Sequence, residues 1–576
     1  MNKVALFYLA LAAYPVLAQL TVEQKVVDFQ TAQAVYAKRY APYEWKKQAF
    51  GFDALDSAPW LDRVRKSKDD LEFYEILAEF TARLNDTHSS FRVGSSFVAD
   101  LGIVVDIYDG KLLIEAINRV ALPLALFPFQ VGDELVTLDG KIMEEYLTEF
   151  GRLYSYGNPQ TARRNNADLI TFRRQSRIPR AVELGDSAIA VIRRANGDLE
   201  TYTLPWVKSG FPLRNIGSVP SPKLSAGSRA ASDESVPEYM KLIQEIRNWR
   251  ADDLTALEGT TYDEETGEQK PRRYLLGLGA RAPVFALPAN FVQRLGRSPA
   301  DFHFSGVYES NGLKIGYLRV PAFVNFATSL RELADEIAFF QQNTDGLVVD
   351  VMRNGGGDCY MLSLASYLIP TPNFFFFGEE VRATLDRINS FQFALENSRR
   401  ANAPQWVLDL YTAYLDQLTT AYRSNRGRTG PIPACSISFE NDPARDRSGN
   451  IIAYNKPLII LVDEFSISAA DIFPAMMQDN RRGVIVGTRT SGGGGSVSGW
   501  PLLYSESITT NTNSLVVRKQ PIVTADLPTA PYVENIGTRP DIPLDYMTRD
   551  NLMSRGRPFV DAFTQIIADQ IKSTGK

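Results

Sequence analysis

Hydrophobic positions change their period several times along this chain, and each change marks a new kind of element. VEQKVVDFQTAQAVYAKRYAPY and DDLEFYEILAEFTARLND, both within residues 20–95, place apolar residues at i, i+3 and i+4 and predict amphipathic helices. From Phe97 to Trp206 the pattern shortens to strand-like runs: LGIVVDIYD, KLLIEAI, DELVTLDG and SAIAVIRRANGDLETYTLPW. Pro212 to Arg273 has little periodicity; SVPSPKLSAGSRAASDESVPE and TTYDEETGEQKPRR are polar, with one amphipathic run, YMKLIQEIRNW, between them. Beyond Val307, KIGYLRV, a helix predicted over 328–342, GLVVDVM, a glycine turn and another helix alternate strand with helix. That alternation predicts a largely parallel sheet. Gly378 to Asn441 interrupts it with helical, aromatic sequence that either walls a cleft or makes a dimer contact.

These breaks divide the chain into 1–18, 19–95, 96–211, 212–273 and 274–576, the last carrying the 378–441 insertion. A chain of 576 residues exceeds one ordinary core, so an α/β multidomain protein is expected. Residues 1–18, MNKVALFYLALAAYPVLA, read as a secretory signal peptide: Lys3, an apolar core, then Val16-Leu17-Ala18 before Gln19. The mature protein is therefore expected to be secreted, with no membrane span after signal removal. Formal net charge is -5 with no lysine-arginine block, which argues against a nucleic-acid partner. Cys359 and Cys435 are the only cysteines; two buried free thiols are the expected state, with pairing the alternative. No metal-binding cluster is visible, and no cofactor is expected.

Candidate chemistry concentrates in Lys456 to Trp500, KPLIILVDEFSISAADIFPAMMQDNRRGVIVGTRTSGGGGSVSGW. Leu458 to Val462 reads as a strand buried on both faces, and Ala469 to Gln478 as a helix. A serine at such a strand-to-helix turn is placed either to cap the helix or to present a nucleophile near helix amides. Ser466 and Ser468 compete for these roles, and Pro474 suggests a helix start later than Ser468. The run Gly492 to Gly495 is no P-loop, because no Lys-Ser/Thr pair follows it. Of the two histidines, His88 lies in a polar turn after a predicted helix, and His303 lies between aromatics.

Ser466, Ser468, Ala470, Asp471, Ile472 and Gln478-Asp479 resemble, in register, the nucleophile segment of the C-terminal-processing, or tail-specific, serine peptidases. On that resemblance Ser468 is the nucleophile. The lysine that common members carry in the glycine-rich loop is replaced by Gly493, and GVIVGTRTSGGGG is similar to the branch of the chlamydial protease-like activity factor, which uses a Ser-His-Glu triad. Leu84-x-Asp86-x-His88 resembles that branch's histidine segment, and Glu534-x-x-Gly537-x-x-Pro540-Asp541 the segment that closes the domain. The turn Arg353-Asn354-Gly355-Gly356-Gly357 resembles the family's oxyanion segment, which makes Gly355 and Gly356 donor candidates with the Ser468 amide as second donor. QVGDELVTLDG resembles a PDZ segment, interrupted by the insertion Glu149 to Val182; an unrelated small β-rich domain is the other reading.

The resemblance implies a crotonase-like catalytic domain preceded by a helical segment and a PDZ-like domain, and a serine endopeptidase acting on protein or peptide substrates. Ser468 would attack, His88 would take its proton and Glu534 would orient the imidazole. A histidine base predicts loss of activity below a pKa near 6.5, drawn upward by Glu534. The linker 212–273 is a candidate inhibitory segment and a homodimer is a candidate assembly. The rival expectation is a catalytically silent protein of the same fold that holds peptides or ligands.

Overall fold

The computed structural model describes residues 19–217, 260–262, 269–271, 278–324, 327–425, 427–436 and 438–574. Residues 1–18, and YMKLIQEIRNW with most of the linker around it, lie outside the described residues.

Four helices open the described chain: α1 (Val22–Arg39), α2 (Tyr43–Phe50), α3 (Ala58–Lys66) and α4 (Asp70–Ala82). Thr21 caps α1 through its side chain and Gln24 returns the bond, which fixes where that helix starts. Phe29, Tyr36, Phe73, Ile76, Leu77 and Phe80 are buried, so the apolar stripes of α1 and α4 form part of one core. The end of α4 delivers the chain directly into Leu84 to His88.

An antiparallel five-stranded sheet follows in sequential order: β1 (Ile103–Tyr108), β2 (Lys111–Ile117), β3 (Glu134–Leu138), β4 (Ser187–Arg193) and β5 (Leu199–Pro205). The insertion that interrupts the strand pattern forms helix α5 (Pro159–Thr171), capped by the Asn158 side chain. Its arginine- and asparagine-rich sequence is a strap between the small sheet and the catalytic unit. Arg164 bonds both Asp106 on β1 (2.6 Å) and Glu464 (2.8 Å), Thr161 donates to the Glu464 carbonyl (2.6 Å), and Asn158 donates to the carbonyls of Arg489 and Thr490. All five side chains of this junction, Arg164, Asp106, Glu464, Thr161 and Asn158, are buried.

The larger sheet has seven strands, also in sequential order: β6 (Val292–Leu295), β7 (Phe304–Ser310), β8 (Leu313–Arg319), β9 (Gly346–Asp350), β10 (Leu458–Val462), β11 (Val484–Gly487) and β12 (Ile542–Pro543). From β8 to β12 every pairing is parallel. Side chains alternate across a strand, so β9 and β10 supply both faces. Leu347, Val349, Ile460 and Val462 pack with residues of α6 (Ala327–Asn343), α7 (Tyr360–Leu368) and α10 (Ala469–Asp479). Val348, Ile459 and Leu461 pack against Phe559, Phe563, Ile567 and Ile571 of α11 (Arg557–Ser573). Continuous apolar strands are thus required by cover on two sides.

Within 378–441, Gly378–Val381 pairs with Ser514–Ile522, while α8 (Leu385–Arg400) and α9 (Gln405–Arg423) pack together through rings such as Phe391 on Tyr414. Cys359 and Cys435 form a disulfide (Cα–Cα 5.4 Å), which corrects the expectation of two buried thiols. The glycine turn before Cys359 and the insertion before Cys435 bring them together at a cavity wall, where Cys359 is exposed.

Candidate active site

Strand β10 ends at Val462, and the chain turns through Asp463 to Ile467 before α10 begins at Ala469. Ser466 is fully buried, and its hydroxyl donates to the Val351 carbonyl (2.8 Å) and accepts from the Asp463 amide (3.1 Å). It fastens the turn to the neighbouring strand and has no access to substrate. Ser468 has φ 60° and ψ −116°, a conformation that non-glycine residues rarely adopt and that holds its side chain off the helix. No helix amide bonds its hydroxyl. The cap comes instead from Asp471, whose Oδ2 accepts the Ser468 amide (2.8 Å). This anchor starts the helix at Ala469 although Pro474 lies inside it, so the later start suggested by the proline does not occur.

Asp471 also draws in the glycine run, since its Oδ1 accepts the Gly492 amide (2.7 Å) and its Oδ2 the Gly493 amide (3.0 Å). Burial raises this carboxyl to about 6 against those bonds. Gly494 donates to Glu534 Oε2 (3.0 Å). The glycines permit this convergence: a Cβ on Gly493 would lie 3.2 Å from Thr87 Cβ and 3.3 Å from His88 Cε1. The run is therefore a packed strap joining the turns of Ser468, His88 and Glu534.

Asp86 shapes the histidine turn. Its Oδ1 accepts the amides of His88 (2.8 Å) and Ser89 (3.1 Å), while Tyr40 and Thr512 donate to the same carboxylate. The Thr510 hydroxyl donates to the His88 carbonyl (2.7 Å), so the backbone on either side of the imidazole is held. His88 Nδ1 is buried without a hydrogen-bond partner. Burial lowers the His88 pKa, with Asp86 opposing and Lys46 adding to the shift. The expected upward pull by Glu534 is corrected here, because the anion that raises His88 is Asp86.

Glu534 is fully buried and meets Lys46 rather than the imidazole. The Lys46 ammonium uses its three protons on Glu534 Oε1, Asn535 Oδ1 (2.6 Å) and the Asn85 carbonyl (2.9 Å), and stands 3.9 Å from Asp86 Oδ2. Burial and then Asp86 push the Glu534 carboxyl up to about 8, against Lys46 and the Gly494 amide. Lys46 thus couples the two carboxylates around the histidine turn. Sequence reading missed it, since its only local context is the exposed-looking pair Lys46-Lys47 in a short helix.

Ser468 and His88 both line one cavity of about 510 Å³. Apolar lining comes from Phe323, Met361, Phe377, Ile472 and Val516, and charged lining from Arg92, Arg177, Asp358 and Glu379. Gly355 lines it too. Two of the expected oxyanion donors are already paired: the Gly356 amide donates to Asn354 Oδ1 (2.8 Å), and the Ser468 amide to Asp471. Gly356 instead lets the turn approach the serine, since a Cβ there would fall 2.6 Å from Ser468 Cβ. His303 is remote from this arrangement in role: fully buried, its ring bonds Glu332 (2.9 Å) and Tyr360 (2.8 Å). Among the described residues, no group of three or more His, Cys, Asp or Glu side chains is placed to hold a metal ion, and no helix is long and apolar enough to cross a membrane.

Comparison with known proteins fits this geometry. Residues 314–544 match the model of peptidase family S41, and residues 98–212 match a PDZ domain model. A protein of Chlamydia trachomatis is 26% identical over 96% of this chain and 94% of its own length, and an uncharacterized protein of Chlamydia muridarum is 24% identical over the same shares. The crystal structure of mature CPAF superposes with a TM-score of 0.72 at 22% identity, covering 96% of this chain and 99% of that one, which establishes a shared fold. CPAF complexed with lactacystin gives 0.71 at the same identity and coverage. The chain thus carries a peptidase family S41 domain preceded by a PDZ domain, and is a serine-type peptidase.

Proposed function

We propose that the protein is a secreted serine endopeptidase that cleaves peptide bonds through Ser468, with His88 as general base and Glu534 as the carboxylate behind it, on a crotonase-like catalytic domain. The observation that carries this reading is the pairing in one cavity of a serine whose hydroxyl no helix amide takes up with a histidine whose turn is held by Asp86 and Thr510. Ser468 Oγ would attack the scissile carbonyl as His88 takes its proton, and the imidazolium would then protonate the leaving amine. Water would hydrolyse the acyl-enzyme by the same route in reverse. Asp86 supplies the negative charge that favours the imidazolium, the ionised form of Glu534 would add to it in the proposed triad, and Lys46 between the two carboxylates offsets part of their repulsion. Gly355 remains the candidate oxyanion donor at the cavity wall.

A silent binding protein is the second reading, and one observation favours it: Glu534 is bonded to Lys46 and Gly494, not to His88, whose Nδ1 has no partner. A fluorophosphonate probe separates the two. Labelling of the wild-type chain that disappears in Ser468→Ala is the outcome expected of the peptidase. A folded, processed protein that takes no label would leave the binder. Export is tested apart from this, by N-terminal sequencing of secreted material, with Gln19 as the expected first residue.

A further inference from the structure

Arg177 is a buried cation in the wall of the catalytic cavity, only 8% exposed. Its Nη1 donates to the Tyr156 hydroxyl (2.8 Å), and its guanidinium lies over the Tyr154 ring at 4.5 Å. No carboxylate among the described residues stands within ion-pair distance of it. Asp168 acts on it from further away, but burial raises that carboxyl to about 7 and blunts its charge at neutral pH. Arg92 lines the same cavity four positions beyond His88. Both guanidinium groups bear on Tyr154: against burial, Arg177 and then Arg92 hold its phenol below the ordinary value.

A guanidinium stays charged at any working pH, so burying one without a counter-ion leaves a standing cost that a bound anion relieves. The planar group also presents paired N–H donors that match a carboxylate. The acids that line the cavity, Asp358 and Glu379, belong to the catalytic unit, and neither pairs with Arg177. Asp358 Oδ1 already accepts the Tyr360 amide (2.8 Å). Arg177 thus lines the cavity that substrate would fill, hydrogen-bonded to Tyr156 and with no carboxylate beside it among the described residues.

We propose that Arg177 forms a carboxylate-binding subsite of the catalytic cavity, so that the enzyme selects peptides carrying either an acidic side chain or a free C-terminal carboxylate within reach of the cleaved bond. This rests on the peptidase reading above and adds the substrate class to it. Quenched fluorescent peptides test it in matched pairs, with Glu against Gln at each position around the cleaved bond, and free acid against amide at the C-terminus. In the full-length wild-type enzyme one of these ratios in kcat/KM should favour the carboxylate by roughly ten- to a hundredfold. In Arg177→Gln the same ratio should fall to about one, while the ratios at other positions stay in place. Which ratio collapses identifies the source of the carboxylate.

Fluorophosphonate titration of Ser468 counts active molecules in both enzymes, so absence of label from wild type sinks the peptidase reading and not the subsite alone. Should Arg177→Gln fail to fold, Tyr156→Phe, which removes the hydroxyl that orients Arg177, is expected to reduce the same ratio. Wild-type ratios near one for every pair overturn the subsite whatever the variants do. A carboxylate preference that survives Arg177→Gln overturns it as well.

Discussion

Lys46 and Glu534 meet as a buried ion pair although 488 residues of chain separate them. The contact joins α2 to the segment just before β12 in the catalytic unit, and Asn535 strengthens it by accepting from both Lys46 and the Trp45 indole (2.9 Å). Removing one partner of a buried pair leaves the other charge unsolvated. Lys46→Met should therefore cost about 3–5 kcal/mol of stability at alkaline pH, where Glu534 is ionised. The cost should shrink toward pH 5, because there the carboxyl keeps its proton. Urea unfolding of both proteins at several pH values checks this; a pH-independent difference would show that Lys46 contributes packing and not charge.

The raised Glu534 pKa gives activity and stability opposite slopes. Its folded value of about 8 lies above the ordinary unfolded value of about 4.3, so the folded protein keeps a proton that the unfolded chain releases. The stabilisation is complete below the unfolded value and is lost as pH rises through about 8. His88 has the reverse sign: its lowered pKa stabilises the fold above the unfolded value and is lost in acid. In the proposed triad activity would need His88 neutral, which its lowered pKa allows in mild acid, and would gain when Glu534 becomes an anion. We expect kcat/KM to keep climbing through about pH 8, and Glu534→Gln to remove that climb while lowering the rate. A wild-type profile already flat by pH 7 would dismiss Glu534 as the group that titrates.

The two histidines should separate cleanly under mutation. His88→Ala removes the proposed base and is expected to lower kcat by roughly a thousandfold or more with the fold retained. His303→Ala instead strips the partner from Glu332 and Tyr360 inside the core. That should cost about 1–3 kcal/mol in stability and leave turnover per folded molecule close to wild type. Thermal unfolding beside active-site titration measures both effects. Near-normal turnover in His88→Ala would end the triad assignment.

How far the site could be read from sequence follows from the range of its contacts. Ser468 sits on a buried strand and an amphipathic helix, both of which leave local periodic signals, so its turn was visible. The same holds for the glycine turn at Arg353 to Gly357, which ends strand β9. Periodicity alone leaves Ser466 and Ser468 in competition and the resemblance chooses Ser468; the backbone supplies the physical reason, since one hydroxyl is spent on Val351 and the other stands free of the helix. The Lys46 contact left no local trace, because its partners lie in other segments of the chain. Two of the three expected oxyanion donors are paired in a way the sequence does not reveal, because amides at a turn are read as available, whereas here the Asn354 and Asp471 side chains accept those of Gly356 and Ser468. Arg164 was legible only as part of an arginine-rich interruption; its role as a strap needed the positions of Asp106 and Glu464.

Gly493 offers the sharpest test of the base, because the resemblance aligns it with the lysine of the common tail-specific peptidases. Its amide is bonded to Asp471, and any Cβ there presses on Thr87 and on the imidazole carbon of His88. Gly493→Ala should therefore shift His88 by a few tenths of an ångström and lower kcat/KM by roughly tenfold, with little loss of stability. Placing lysine there in a His88→Ala background removes the clash with the ring but not the electrostatic obstacle. A lysine base works only when neutral, and Asp471 and Asp86, both near this loop, favour its charged form. The double variant His88→Ala/Gly493→Lys is expected to stay as inactive as His88→Ala across pH 7–9, read by rates of fluorophosphonate labelling. Recovery to within about tenfold of wild type would mean that the loop can desolvate an amine. The histidine would then be dispensable, and the catalytic assignment would have to move to the glycine run.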